Sequence, residues 1–200
     1  MTATGQPVDY SSPSLDLSFD LRTSPYFVKD DRNFLLYQTA KQLPVMQGLS
    51  LVDTYLSRGH SIEPHWHPNA NELIYTIEGE IVESILNPFT LELLNYRLGP
   101  RQSVYIPQGW WHWTLAVSEH TRFVVTFDHN KFEIVYGSDI LRITPPEVLQ
   151  AVYGINAGQW AEVTHPIDQT VIIGPPEPNS KEKRWRIGTD EWSSPRHIDI

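Results

Sequence analysis

Hydrophobic and polar positions alternate over short stretches between about residues 33 and 127 of this chain, and turn residues separate the stretches. A period of two is typical of β-strands that bury one face. Seven such segments follow one another: NFLLYQTA, LSLVDTYLS, NELIYTIEGEIVESIL, TLELLNYRL, QSVYIP, HWTLAVS and TRFVVTFD. Short strands at this spacing predict an all-β fold, an antiparallel sandwich or barrel.

The two ends of the chain lack this pattern. Residues 1–34 mix Ser, Pro, Asp and Thr without a sustained period, which predicts an extended, partly ordered arm. A barrel over residues 35–158 would carry one short capping helix at about 145–154, with Thr144 as N-cap, two prolines in the first turn and a glycine at the end. Residues 159–200 contain five of the sixteen prolines and the charged run EPNSKEKRWR. We expect a partly disordered arm there, without a contribution to the sheets.

Composition removes several classes of protein. The 15 Lys and Arg residues against 24 Asp and Glu give a net charge of -9, which disfavours nucleic-acid binding. No apolar run is long enough to span a membrane and the start lacks the features of a signal peptide, so we expect a soluble, cytoplasmic protein. The absence of cysteine excludes disulfides, thiolate metal sites and cysteine nucleophiles. Any metal site must therefore use imidazole and oxygen ligands.

Four side chains have the spacing of a metal site. His65 and His67 are two residues apart on a predicted strand, so both can face the interior of a barrel. Glu72 follows on the next strand, and His112 begins another strand after a Pro-x-Gly turn. Three imidazoles and one carboxylate suit Mn(II), Fe(II), Co(II), Ni(II), Cu(II) or Zn(II), and an octahedral ion would keep two positions open for substrate, water or dioxygen.

The same segments carry a family resemblance. The segment around the first two histidines and the glutamate matches the first motif of the cupin superfamily, and it reads Gly59-x5-His65-x-His67-x4-Glu72-x6-Gly79. The segment that ends at the third histidine matches the second motif with two extra residues, and it reads Gly99-x7-Pro107-x-Gly109-x2-His112. Over about residues 35–155 the chain resembles one half of the bicupin oxalate decarboxylases, and germins next. The resemblance implies a double-stranded β-helix, or jelly-roll barrel, and one divalent metal ion on the four side chains, Mn(II) first and Fe(II) next. It also implies a homodimer formed through barrel edges and terminal arms.

Two positions depart from the decarboxylases. Those enzymes carry an arginine three residues before the first metal histidine, where it binds the oxalate carboxylate, and this chain has Ile62. They also carry a Ser-Glu-Asn-Ser-Thr lid with a proton-donating glutamate, where this chain reads HNKFEIVYGS. Glu133 is the nearest carboxylate, and His129 in the same loop could relay protons. The departures favour a bulkier or less charged substrate than oxalate.

A substrate pocket is predicted from strand parity. Ile74 and Thr76 lie two and four residues after Glu72, so they face the same side of the strand as Glu72. Trp110 lies two residues before His112 and faces the same side as His112. With Ile62 they form the predicted pocket, although a barrel core needs the same residue types.

The sequence therefore predicts a metal-dependent enzyme that acts on a small carboxylate or enol-type substrate by decarboxylation or dioxygen-dependent oxidation. A non-catalytic, metal-containing cupin that binds a small molecule and a metal-assisted isomerase are the alternatives.

Overall fold

The computed structural model of the chain describes residues 8–176. Within this range the backbone forms twelve strands in two antiparallel sheets, which confirms the predicted all-β jelly roll. The strands are β1 (Pro25–Val28), β2 (Phe34–Gln38), β3 (Ser50–Leu56), β4 (Ser61–Trp66), β5 (Glu72–Glu78), β6 (Ile81–Leu86), β7 (Leu93–Leu98), β8 (Ser103–Ile106), β9 (His112–Ala116), β10 (Thr121–Phe127), β11 (Val135–Tyr136) and β12 (Ile173–Gly174).

Each sheet joins strands that are distant in the sequence. The first has the order β1-β2-β3-β10-β5-β8, and the second has the order β11-β4-β9-β6-β7 with β12 beside β4. Both strands that carry histidines of the metal motif, β4 and β9, are neighbours in the second sheet. Glu72 begins β5 in the first sheet. The motif residues therefore reach one another across the interior of the barrel.

The core lies between the two sheets and follows strand alternation. Every second residue of β10 is buried, and β5 buries Glu72, Ile74 and Thr76 while Leu73 and Tyr75 stay exposed. Burial of one large apolar side chain such as those in this core stabilises the fold by about 1.5–3 kcal/mol.

The predicted turn at Gly79 joins β5 to β6. Gly79 has a φ of +71°, and a Cβ there would collide with the backbone carbonyl of His120. Only glycine fits this position, because L-residues avoid that conformation and no side chain has room.

Three helices follow the barrel: α1 (Gly137–Ile143), α2 (Pro146–Tyr153) and α3 (Ala157–Thr164). Helix α2 is the predicted capping helix and ends at Gly154 with a φ of +72°. Thr144, expected as its N-cap, is instead the C-cap of α1. Neither α1 nor α3 was predicted. No helix in the described range is long and apolar enough to cross a membrane.

The start of α1 depends on a residue far away in the sequence. The buried Glu63 carboxylate accepts hydrogen bonds from Ser138 N at 2.8 Å and Ser138 Oγ at 2.9 Å. It also accepts one from Ile172 N at 2.7 Å, next to β12. A carboxylate at a helix N-terminus satisfies amide groups that have no partner within the helix. Glu63 thus ties both α1 and β12 to strand β4.

Both predicted arms contain residues that join the sheets. Strand β1 lies inside residues 1–34 and pairs with β2 at the edge of the first sheet. In the C-terminal arm, Ile173 pairs with Ile62 and is 1% exposed, so the expectation that this segment adds nothing to the sheets is wrong. Residues 1–7 and 177–200 lie outside the described range, and so does most of the segment predicted to be disordered.

Candidate metal centre

The four predicted ligands form one buried cluster, which we call the metal cluster: His65, His67, Glu72 and His112. His65 lies near the end of β4 and is paired with His112 at the start of β9. His67 follows directly after β4, and Glu72 begins β5. One ligand atom from each side chain lies within 4.8 Å of the other three.

Backbone carbonyl groups orient the three imidazoles. Each Nδ1 lies at hydrogen-bond distance from a carbonyl oxygen: His65 from Glu63 at 2.7 Å, His67 from Glu133 at 2.7 Å and His112 from Trp110 at 2.8 Å. Because a carbonyl only accepts, each Nδ1 must carry the proton and donate. The lone pair of each neutral ring is then on Nε2, and a metal-bound histidine has the same arrangement.

The atoms inside the cluster lack ordinary partners. Glu72 Oε2 lies 3.1 Å from His67 Nε2 and 3.0 Å from His112 Nε2. Glu72 Oε2 and His112 Nε2 are nevertheless both buried without a well-aligned hydrogen bond in the described chain. Buried polar atoms without partners are costly, and a common cation would satisfy them. The donor set therefore fits a divalent ion.

Burial and mutual contacts set the charges of the cluster. Burial alone raises the pKa of Glu72, but His112 and His67 outweigh burial and hold that pKa far below its ordinary value. Burial lowers the pKa of His112, yet the Glu72 carboxylate outweighs it and raises the pKa to about 9. Burial, followed by the other two histidines, keeps the pKa of His65 well below its usual range. Near pH 7 Glu72 thus stays ionised and His65 stays neutral, while His112 keeps a second proton on Nε2 that a bound metal ion would displace.

A small cavity adjoins the metal cluster. Its volume, measured as the space that the centre of a water molecule can occupy, is about 40 Å³. This is enough for about three waters. Four rings form part of its lining, which we call the aromatic wall: Tyr26, Phe127, Phe132 and Tyr136. Beside three of the metal ligands, the other lining residues are Leu35, Val52, Thr54, Ile62, Thr114, Phe123, Val125 and Ile134.

One of the four predicted pocket residues lines this cavity. Ile62 does so because an irregularity in the pairing of β4 with β9 falls between Ile62 and His65, which lets both face inward. Ile74 and Thr76 share the inner face with Glu72, as parity predicted, but they are core residues that do not line the cavity. Trp110 packs on the core and meets the ring of Phe89 instead.

Glu133 and His129 lie near the metal cluster, but their side chains are outside the cavity. The Glu133 carboxylate is 2.7 Å from Lys131 Nζ and its side chain is 54% exposed. His129 is exposed, with Nδ1 at 2.7 Å from the Lys131 carbonyl. Glu133 touches the cluster through its backbone carbonyl on His67. The predicted proton-transfer roles of both residues stay predictions.

Three residues near the metal cluster could not be identified from a sequence motif. The hydroxyls of Tyr26 and Tyr136 lie 3.1 Å apart, although 110 residues separate them. Glu83 on β6 is completely buried, and its Oε2 accepts a hydrogen bond from Thr114 Oγ1 at 2.6 Å. Burial raises the pKa of Glu83 to about 8, against weaker opposing contributions from His112 and Thr114. None of the three belongs to a local motif.

A family comparison agrees with the fold. The family model described as "Cupin" matches residues 37–159, which is more than half of the chain. The chain belongs to the cupin family. Legumin B of Pisum sativum is 30% identical to this cupin over 124 residues, or 60% of the chain and 37% of that protein. Oxalate decarboxylase OxdC of Bacillus subtilis is 30% identical over 120 residues, or 58% of the chain and 31% of that protein.

Solved structures show the same fold at lower identity. A structure of B. subtilis oxalate decarboxylase, a protein with Mn(II) centres, has a TM-score of 0.70 and 24% identity, covering 81% of this cupin and 42% of that chain. Procruciferin, an 11S globulin from Brassica napus, has a TM-score of 0.70 and 20% identity, covering 78% of this cupin and 42% of that chain. This cupin spans only about a third of the length of the curated relatives it matches.

Proposed function

We propose that this cupin is a metal-dependent enzyme that acts on a small carboxylate or enol-type substrate by decarboxylation or dioxygen-dependent oxidation. One observation carries the proposal. Three buried imidazoles each turn Nδ1 to a backbone carbonyl and Nε2 toward the carboxylate of Glu72. Four ligands leave an octahedral ion with two open positions, and the adjoining cavity gives a small molecule access to them.

The proposed ligands are His65, His67, Glu72 and His112, with Mn(II) as the first candidate ion and Fe(II) as the second. Nitrogen and carboxylate donors also accept Zn, Ni, Co and Cu. The Mn(II) centres of a similarly folded oxalate decarboxylase support the first choice. A bound divalent ion supplies Lewis-acid polarisation of a substrate oxygen, and a redox-active ion adds one-electron chemistry.

The residues of the chain supply orientation and a dry site. The carbonyl of Glu133 fixes the ring of His67, and the rings of Phe127 and Phe132 pack against His67 at centroid distances of 4.6 and 5.8 Å. Rings in these positions keep water away from one side of the cluster, which strengthens electrostatic interactions inside it. For proton transfer, Glu133 and His129 remain the candidates, at the rim.

A second candidate function is binding of a small molecule without turnover. Glu72 is the one carboxylate among the described residues that line the cavity, and it is committed to the metal cluster. Among the described residues, no second carboxylic acid is therefore placed to transfer protons inside the cavity, and this favours a non-catalytic, metal-containing cupin over a metal-assisted isomerase. The predicted homodimer is compatible with both functions and stays a prediction.

Metal content tests the proposal first. Protein purified without added metal or chelator, and again after reconstitution, should hold about one divalent ion per chain. His65→Ala and Glu72→Ala should each lose it, while His120→Ala, an exposed position, should keep it. Unchanged metal content in the first two variants would overturn the site. Turnover of small carboxylic and enolic acids, with oxygen uptake recorded, then separates decarboxylation, oxidation and binding alone.

A further inference from the structure

The cavity beside the metal cluster has no cationic side chain in its lining. Among the described residues, those that line it include no lysine and no arginine. Ile62, three residues before His65 on β4, lines the cavity with an apolar side chain. Charge balance inside the cavity therefore depends on the ion, on Glu72 and on the bound molecule.

That balance favours one charge class of ligand. A divalent ion with the carboxylate of Glu72 and three neutral imidazoles carries a net charge of +1. A monoanion makes the buried centre neutral, whereas a dianion leaves one negative charge that no lining residue offsets. A buried uncompensated charge is strongly unfavourable. Glu83 adds no charge while it is protonated, and burial raises its pKa to about 8.

Beside the metal ligands, Thr54 and Thr114, two tyrosines carry the polar groups of the lining. Tyr26 on β1 and Tyr136 on β11 both line the cavity, and their hydroxyl oxygens are 3.1 Å apart. One hydroxyl donates to the other, so one O–H of the pair is left to donate elsewhere. In the described chain each hydroxyl has the other as its hydrogen-bond partner. Tyr136 pairs with His65 in the ladder, and its ring centroid is 6.1 Å from that imidazole. The donor thus lies beside the metal cluster.

Size and polarity restrict the remainder of the ligand. The cavity has room for about three waters, and most of its other lining side chains are aliphatic or phenyl groups. A short aliphatic tail can replace water there favourably, but a second charged or strongly polar group would be buried without a partner. A carboxylate is a compact monoanion with one oxygen for an ion and one for a hydrogen-bond donor.

We infer that this site takes a short aliphatic monocarboxylate, and that the Tyr26–Tyr136 pair donates the hydrogen bond that orients its carboxylate. The inference rests on the proposed function for the presence of the ion. It excludes oxalate and other dianions as preferred ligands at neutral pH. Of the two departures from oxalate expected from the sequence, the charge balance of the cavity favours the less charged substrate.

Propionate and malonate test the charge class, because they differ only in the replacement of a methyl group by a carboxylate. Titration calorimetry on the Mn(II)-loaded full chain at pH 7 should show propionate binding at least about tenfold more tightly than malonate, with metal content measured before and after. Equal or tighter binding of malonate to protein that keeps its ion would overturn the inference alone. A chain that holds no divalent ion after reconstitution would overturn the proposed function as well.

Phenylalanine variants test the donor. Tyr136→Phe and Tyr26→Phe should each weaken propionate binding by about three- to tenfold with metal content unchanged, as expected for one lost hydrogen bond. The double variant should lose little more propionate affinity than the single variant that binds propionate more weakly, since the two hydroxyls act as one donor. Tyr105→Phe, on a side chain outside the cavity that is 56% exposed, is the control and should bind as the original chain does. Unchanged propionate affinity in both single variants would refute the role of the pair.

Discussion

The metal cluster and the aromatic wall are adjacent, yet different parts of the fold build them. The cluster lies at the ends of β4, β5 and β9, and backbone carbonyls fix its imidazoles. The aromatic wall comes from β1, β10, β11 and the loop before β11, and ring contacts hold it together. Phe127 stacks on Phe132 at a centroid distance of 4.3 Å, and Tyr26 meets Phe132 at 5.9 Å.

This difference separates two properties of the site. Retention of an ion depends on ligand atoms and on their backbone partners, whereas selection of the molecule beside the ion depends on side chains from other segments. Substitutions in the aromatic wall should therefore change affinity for small molecules without removing the ion. Substitutions in the metal cluster should remove both.

The largest expected effect is the loss of the ion in Glu72→Gln. This variant keeps the shape of the side chain but removes the charge that the three imidazoles surround. We expect Mn(II) affinity to fall by about a hundredfold or more, because four ligands share a total binding free energy that is on the order of 10 kcal/mol in tight sites, and a quarter of it corresponds to roughly seventyfold before the lost charge is counted. Phe132→Leu is the matched change in the aromatic wall and should keep Mn(II) affinity within about threefold. Competition with a metallochromic indicator measures both, and equal losses in the two variants would contradict the separation.

A stability change with pH is expected from Glu83, behind the cluster. Its pKa is raised by burial from the ordinary 4.5 to about 8. Between these values the unfolded chain releases the proton while the folded chain keeps it, so the contribution of Glu83 to stability is highest below about 4.5 and falls as the pH rises to about 8. The fall is on the order of 3 to 5 kcal/mol, from about 1.4 kcal/mol for each unit of pKa shift.

Glu83→Gln removes the titrating group and tests this directly. The metal-free chain should lose less thermal stability between pH 5 and 8 in this variant than the original chain does, and the pH dependence that remains should come from His65 and His112. Glu119→Gln is the control, since that side chain is 63% exposed and its pairing with Arg58 is at the surface. A profile for Glu83→Gln as steep as that of the control would show that the buried carboxyl does not set the pH dependence.

Ile62→Arg tests the preferred charge of the ligand by changing the charge of the cavity lining. A cation in the cavity would let a dianion neutralise the centre, so malonate affinity should rise by about tenfold and propionate affinity should fall. Ile62→Met keeps the site apolar and should preserve the original preference. The experiment is a repeat of the calorimetric titration on both variants. If the arginine variant keeps its ion but still prefers propionate, the charge argument fails.

The metal cluster was predictable because its geometry is largely local. Strand alternation places His65 and His67 on one face, and the turn before β9 delivers His112 to the neighbouring strand. The strands of the barrel were predictable for the same reason, since each carries its own alternation. The parity of β5 also placed Ile74 and Thr76 on the inner face, even though neither reaches the cavity.

The remainder of the site depends on contacts that no local pattern encodes. Tyr136 belongs to a strand of two residues, and Tyr26 belongs to a segment without periodicity, so neither indicates a cavity wall. Helix α1 begins at a glycine and depends on the carboxylate of Glu63, 75 residues earlier than Ser138. Such elements form because the barrel offers them partners, and tertiary contacts outweigh their weak intrinsic preferences.

The smallest expected effect distinguishes the two parts of one residue, Glu133. Its carbonyl holds His67, and its carboxylate pairs with Lys131 at the surface, where such pairs contribute about 0–1 kcal/mol. Glu133→Gln keeps the carbonyl, so Mn(II) affinity should stay within about twofold. Lys131→Gln removes the same ion pair and is the control. The rate of turnover as a function of pH separates the two parts. If its rise or its fall with pH disappears in Glu133→Gln but not in Lys131→Gln, the carboxylate transfers protons from the rim of the cavity. Unchanged profiles in both variants would confine Glu133 to its backbone contact with the metal cluster.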